Sequence, residues 1–248
     1  MTMNFTDIVI VAGNYGSGKT ETAVNLAAAC RKTGRSVAIA DLDLVNPYFR
    51  TREARIPLEA MGVRVVLPDR QYLHADLPIL APAVADILRN PADVTILDAG
   101  GDDVGVTVLA SLAAVLKDRK IRMLQVINAF RPFTGDVAGC LKIQKQIETS
   151  GKIKITGLVS NANLLDETSV AHVYQGYDLV RQVSAQTGLP VEFITATPQI
   201  QSQLDPDRIT CPVLTIDRHM TPPWKHPGTH PTTNNKTQHP NIPSKLKI

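Results

Sequence analysis

Short runs of apolar residues alternate along the chain with longer segments in which apolar positions recur every three or four residues. The short runs indicate buried strands, and the longer segments indicate amphipathic helices. Strands are predicted at residues 8–12, 36–40, 63–67, 94–97, 121–127, 155–160, 191–195 and 213–216. Helices are predicted at residues 19–33, 77–89, 104–117, 134–149 and 169–187. This alternation predicts an α/β fold with a mainly parallel, doubly wound sheet of about seven to eight strands and helices on both faces.

The first predicted strand and helix are joined by a glycine-rich loop at residues 13–20, which fits the phosphate-binding pattern G-x-x-x-x-G-K-[ST]. Glycines let successive backbone N–H groups and the helix N-terminus face an anion, and Lys19 adds a positive charge for the outer phosphates. The hydroxyl of Thr20 is suited to magnesium. We therefore expect a bound nucleotide. Its expected contacts are Gly13, Asn14, Tyr15, Gly16, Ser17, Gly18, Lys19, Thr20 and Thr22.

Acidic residues follow two of the predicted strands. Asp41 and Asp43 lie two positions apart after the second strand, so in an extended chain both point to one side. Asp98 ends the strand at 94–97, and Gly101, three residues later, is placed to donate its N–H to a γ-phosphate. Paired acids near a triphosphate suit the positioning of magnesium and of the attacking water. Solvated loop acids and a turn-capping aspartate remain the alternative interpretations.

Together these motifs resemble the MinD/ParA group of P-loop ATPases, within the CobQ/CobB/MinD/ParA nucleotide-binding family, over residues 5–200. The resemblance implies a magnesium-dependent ATPase with ATP and Mg²⁺ as cofactors. It implies that Asp43 activates the hydrolytic water and that Lys19 is the catalytic lysine. It also implies that Asp41 and Asp98, with Thr20, hold the metal and its water shell.

Asn161 follows the strand predicted at 155–160, where the family places an asparagine on the adenine edge. The sequence Asn-Ala-Asn-Leu that begins here lacks the lysine and aspartate of the guanine-selecting pattern N-K-x-D. This difference favours ATP over GTP. A turn-forming asparagine without a ligand is the alternative interpretation of Asn161.

Asn14 stands where the resembled family carries a signature lysine that reaches the nucleotide of a partner copy. Asparagine is neutral, so that charge is missing or comes from elsewhere. The candidate replacements are Arg50, Arg52, Arg55 and Arg131. A homodimer in the nucleotide-bound state is still expected from the resemblance, but Asn14 leaves its dependence on nucleotide open.

Composition limits the partners and the cellular compartment that we expect for this protein. The formal charge is +3, and residues 219–248 hold four lysines and no acid, so the preceding part is nearly neutral and offers no case for nucleic-acid binding. Three widely spaced cysteines indicate reduced thiols in a cytoplasmic protein. We expect a P-loop nucleotide-binding domain at 1–218 and a disordered, Pro-rich basic tail at 219–248. A proline-broken tail of this kind does not form a membrane anchor.

Three functions fit the sequence. The first is slow ATP hydrolysis that switches the conformation of a partner protein or enzyme complex. The second is an ATP-dependent kinase or ligase resembling dethiobiotin synthetase or cobyrinic acid synthase, in which arginines hold a small carboxylate substrate. The third is a non-hydrolysing, nucleotide-gated scaffold. The sequence does not identify the client or the substrate, because those contacts lie on variable loops.

Overall fold

Eight parallel strands form one sheet in the computed structural model, which describes residues 3, 5–42, 54–67, 82–100, 103–116 and 119–219. In chain order the strands are β1 Asp7–Ala12, β2 Val37–Asp41, β3 Arg64–Val66, β4 Val94–Asp98, β5 Ile121–Ile127, β6 Gly157–Ser160, β7 Val191–Ala196 and β8 Val213–Thr215. Their order across the sheet is β3-β2-β4-β1-β5-β6-β7-β8, with every neighbouring pair parallel. The chain reverses its direction of winding at β1, so the loop after β1 lies at the centre of the sheet edge, where ligands gather.

Helices connect these strands. They are α1 Lys19–Lys32, α2 Arg55–Ala60, α3 Pro82–Arg89, α4 Asp103–Leu116, α5 Val137–Gly151, α6 Val170–Thr187 and α7 Pro198–Gln201, with a short 3-10 turn at Leu165–Glu167. In the part of the chain that the structure describes, no helix has the length and apolarity needed to cross a membrane.

The core is divided between the two faces of the sheet. Ile8 and Ile10 of β1 belong to the core on one face, which is shared with α3, α4, α5 and part of α6. Val9 and Val11 belong to the core on the other face, which includes the buried residues of α1 and α2. Because both faces are covered, every residue of β1 after Asp7 is buried. The doubly wound parallel sheet predicted from the sequence is therefore confirmed.

Element ends differ from the prediction where local polar contacts decide them. The fifth helix begins at Val137 rather than at residue 134, because Phe133 has a positive φ of 71° and the Asp136 side chain caps the helix by accepting from the Gly139 N–H. The prediction missed α2, a six-residue helix with Pro57 in its first turn, and α7. The start of the helix predicted at 77–89 and residues 220–248 of the predicted tail lie outside the described residues.

Candidate nucleotide site

The glycine-rich loop leaves β1 and runs directly into α1. Gly16 and Gly18 have positive φ angles of 73° and 85°, a conformation that L side chains rarely adopt. The Ser17 N–H donates to the Asn14 carbonyl at 3.1 Å, and the Thr22 N–H donates to the Gly18 carbonyl at 2.9 Å. The loop therefore turns tightly and delivers the backbone to the first turn of the helix. This is the local geometry that an anion-binding helix N-terminus requires.

Lys19 is the first residue of α1, and it is only 5% exposed. Among the described residues, no side-chain hydrogen bond or ion pair involves its ammonium group. The Ser17 hydroxyl is likewise buried, and no hydrogen-bond partner is found for it within the described ranges. A phosphate group supplies acceptors both for an ammonium without an ion pair and for a buried hydroxyl without a hydrogen bond. The residues present therefore fit the phosphates of a nucleotide.

Asp41 and Asp98 end neighbouring strands and are paired in register, as are Asp98 and Val11 of β1. Both aspartates are buried, at 1% and 0% exposure. Each lies two positions after an isoleucine of the core on the α1 side, so both project toward the face that α1 covers. Two buried acids side by side concentrate negative charge, which a divalent cation offsets. Their carboxylate oxygens and the hydroxyl of Thr20 are of the oxygen-ligand type that Mg²⁺ prefers.

The loop between β5 and α5 is bonded to the glycine-rich loop of the same chain. The Asn14 side-chain amide donates to the Pro132 carbonyl at 3.0 Å, and the Arg131 Nε donates to the Gly16 carbonyl at 3.0 Å. Asn14 is only 8% exposed. The side chain at the position of the signature lysine is therefore turned into its own subunit.

Asn128 holds the β5–α5 loop in shape. Its side-chain oxygen accepts from the Phe130 N–H at 3.1 Å and from the Asn163 N–H at 3.3 Å, and its carbonyl accepts from the Thr134 hydroxyl at 2.8 Å. Sequence reasoning missed Asn128 as a residue of the site. Asn128 could have been predicted from its position directly after the apolar strand β5. Asp98 and Asn161 were predicted from equivalent positions at the ends of other strands.

Asn161 lies directly against the glycine-rich loop and is 5% exposed. Its amide donates to the Ser17 carbonyl at 2.6 Å, and its oxygen accepts from the Thr195 hydroxyl at 2.5 Å. A Cβ built on Gly18 would clash with the Asn161 amide nitrogen, so a larger residue there requires Asn161 to shift. Thr195, buried at the end of β7, was also missed because its role depends on a partner far away in the sequence.

The remaining predicted residues are distributed as follows. Tyr15 is 68% exposed at the mouth of the loop. Thr22 is buried, and its hydroxyl donates to the Gly18 carbonyl at 2.9 Å. Arg55 forms an exposed ion pair with Glu59, at 2.8 Å. The other predicted residues, Asp43, Gly101, Arg50 and Arg52, lie outside the described residues.

The model of one protein family matches residues 8–181, and it describes the CobQ/CobB/MinD/ParA nucleotide binding domain. The chain belongs to this family. The match covers β1 to most of α6, and so includes the glycine-rich loop, both buried aspartates and Asn161. The protein is therefore a P-loop nucleotide-binding domain, and the resemblance predicted from the sequence is confirmed.

Solved structures with a similar fold include a signal recognition particle receptor, FtsY, and a cell division protein, also called FtsY. FtsY from Elizabethkingia anophelis is 21% identical, with a TM-score of 0.53, over 87% of this chain and 63% of that chain. FtsY from Thermotoga maritima is 21% identical, with a TM-score of 0.57, over 84% of this chain and 68% of that chain. The chain thus spans less than two thirds of the first of these proteins. At these identities, the TM-scores establish a shared fold and nothing more.

A third similar structure is Signal Recognition Particle 54 kDa protein from Aeropyrum pernix, solved in complex with GDP. It is 20% identical, with a TM-score of 0.51, over 78% of this chain and 42% of that chain. No curated protein matches the sequence.

Proposed function

We propose that the protein is a magnesium-dependent ATP-binding protein that hydrolyses ATP slowly and uses the nucleotide state as a conformational switch on a partner protein or enzyme complex. The observation that carries the proposal is Lys19, which starts the helix after the glycine-rich loop, is 5% exposed as a residue, and has no ion pair among the described residues. A cation held in this way favours a ligand with several phosphates over a neutral one.

Each residue of the site has a role in this proposal. Lys19 neutralises the outer phosphates, and the backbone N–H groups of the loop donate to the remaining phosphate oxygens. Thr20, Asp41 and Asp98 hold Mg²⁺, which, when bound, offsets phosphate charge and draws electrons from the phosphorus. Asp43 orients the attacking water, a role taken from the family resemblance. The N–H of Gly101 senses the γ-phosphate, and the loops after Asp43 and Asp98 carry the switch.

The proposed base is adenine. The chain lacks the guanine-selecting N-K-x-D pattern after β6, which supports ATP, whereas one similar structure was solved with GDP. Both nucleotides therefore belong in the test. A cytoplasmic location and a homodimer in the nucleotide-bound state are parts of the same proposal.

The test follows phosphate release and nucleotide affinity for ATP and GTP with Mg²⁺, together with mass by light scattering. Wild type is expected to bind ATP more tightly than GTP and to release phosphate slowly. Lys19→Met should weaken nucleotide binding by roughly 100-fold, since a charge-assisted phosphate contact is lost. Lys32→Met, in the last turn of the same helix, is the control and should bind as wild type does.

Asp43→Ala separates the switch from the scaffold. Loss of phosphate release with ATP binding retained supports the switch. Tight ATP binding without turnover, in wild type and in Asp43→Ala alike, contradicts the proposed hydrolysis and favours a non-hydrolysing scaffold.

A kinase or ligase acting on a small carboxylate is the second candidate. It is favoured by one observation: the Asn14 amide is bonded to Pro132 of its own chain, as in a self-contained site. This candidate predicts a monomer with little turnover until a mixture of small carboxylic acids is added. Turnover that is unchanged by such a mixture contradicts it.

A further inference from the structure

Arg131 is an exposed cation in contact with the glycine-rich loop. Besides the 3.0 Å bond from its Nε to the Gly16 carbonyl, its guanidinium lies against the loop backbone. A Cβ built on Gly16 would lie 3.2 Å from Nε and 3.4 Å from the guanidinium carbon. No ion pair found within the described ranges includes Arg131. Its two terminal nitrogens therefore retain donors for a ligand at the loop.

The loop that carries Arg131 contains a residue in a strained backbone conformation, Phe133. Phe133 has a φ of 71° and is 75% exposed. A bulky residue in this conformation is strained, by about 1–3 kcal/mol, and persists only where its surroundings impose it. Here the Asn14–Pro132 bond and the Asn128–Thr134 bond impose it on either side. The β5–α5 loop therefore holds Arg131 against the glycine-rich loop at a cost in backbone strain.

The nearest acid along the chain does not neutralise Arg131. The Asp136 carboxylate caps α5 by accepting from the Gly139 N–H at 2.7 Å. One glycine-rich loop therefore has two cations, Lys19 at its end and Arg131 bonded to its backbone, and the described residues show no ion pair to either. Two cations on one phosphate-binding loop suit an anion with more than one negative charge.

We propose that Arg131 contacts the phosphate chain of a bound nucleoside triphosphate in cis and supplies the positive charge that Asn14 does not, so that turnover needs no second copy of the chain. The inference rests on the proposed nucleotide hydrolysis and deepens it. During hydrolysis, the water oxygen forms a bond to the γ-phosphorus as the bond from that phosphorus to the bridging oxygen breaks. The nucleoside diphosphate leaves with the electron pair, and the water proton passes to the phosphate products. Arg131 exchanges no proton and stabilises the charge that develops on the bridging oxygen.

The test compares the affinity for Mg-ADP with the affinity for Mg-ADP plus aluminium fluoride, a mimic of the transferring phosphoryl group, by calorimetry. Arg131→Ala should weaken binding of the mimic by about 100-fold and binding of ADP by much less, because the charge is needed most where charge develops. Arg131→Lys should restore part of the difference, since it keeps the charge but lacks the planar fork. Arg64→Ala, which removes an exposed ion pair to Asp86 at the amino end of β3, is the control and should leave both affinities unchanged. Circular dichroism checks that each variant is folded.

Two outcomes overturn the inference. An equal loss for ADP and for the mimic would make Arg131 only a support for the Gly16 carbonyl. Turnover per protomer that rises with protein concentration would mean that the charge comes from a second copy. A wild type that never releases phosphate contradicts the proposed hydrolysis instead, and the two affinities still decide the role of Arg131.

Discussion

The two ends of the parallel sheet differ in how they hold polar residues. At the carboxyl end, Lys19, Asp41, Asp98 and Asn161 are all buried, at 5% exposure or less. At the amino end, the Asp93 carboxylate accepts from the N–H and hydroxyl of Ser36 in exposed contacts, both at 2.8 Å.

Burying polar and charged groups costs free energy unless each finds a partner. The buried polar groups at the carboxyl end therefore suit a bound ligand. The polar groups at the amino end are exposed and can also hydrogen-bond to water.

The largest difference in stability between the two ends is expected when one glycine at each end is replaced by alanine. Gly18 and Gly34 have almost the same φ, 85° and 86°, but an added Cβ meets Asn161 at the first and nothing within 4 Å at the second. Gly34→Ala should cost about 1 kcal/mol of stability, from left-handed strain alone. Gly18→Ala should cost roughly 1–3 kcal/mol more, from overpacking, and should abolish nucleotide binding. Urea unfolding and calorimetry measure both. Equal costs would mean that Asn161 moves aside freely.

A smaller effect on stability is expected from removing the side chain of Asn161, which hydrogen-bonds to the glycine-rich loop. Asn161→Ala leaves the Ser17 carbonyl and the Thr195 hydroxyl without their partner, which should cost about 1–3 kcal/mol. Asn90→Ala, at an exposed asparagine beyond the end of α3, is the control and should change stability by less than about 0.5 kcal/mol.

The same variant tests base selection. Asn161→Ala should weaken ATP and GTP binding by one common factor if Asn161 acts only through the loop. A loss confined to ATP would instead support the adenine contact that the family resemblance implies.

The central parts of the fold and site were predictable because their signals are local. The glycine-rich pattern at 13–20 and the apolar run ending in Asp98 each specify a strand and its polar end within a few residues. Alternation of such runs with helical periods then predicts the parallel sheet.

The supports of the loop were not predictable in the same way. Thr195 supports the site through Asn161, and Pro132 supports it through the Asn14 amide. No local pattern reveals which distant side chain will meet a given carbonyl. Arg131 was a candidate by its position after β5, but its bond to Gly16 required the folded structure.

The smallest effect is expected at the amino end and depends on pH. Hydrogen bonds from the Ser36 N–H and hydroxyl hold the pKa of the Asp93 carboxyl below its ordinary value. The contribution to stability is therefore fully present above the pKa of the unfolded chain, and it is lost as pH falls through the lower folded value. Asp93→Asn should be slightly less stable than wild type at neutral pH, and the difference should shrink in acid. Thermal unfolding from neutral to acidic pH measures this.

Asp207→Asn, at an exposed position, is the control for that comparison. A difference between wild type and Asp93→Asn that stays constant with pH would contradict a charge effect at Asp93.

The hydrogen bonds that hold the glycine-rich loop have a consequence for how the protein is made. The loop is synthesised well before its partners, because Pro132 and Asn161 follow 118 and 144 positions after Asn14 and Ser17. Contacts so distant in sequence form late in folding, because the intervening chain must be ordered first. A growing chain therefore carries the full phosphate-binding motif long before it has a completed site. Nucleotide capture during translation should begin only after β6 has emerged and joined the sheet.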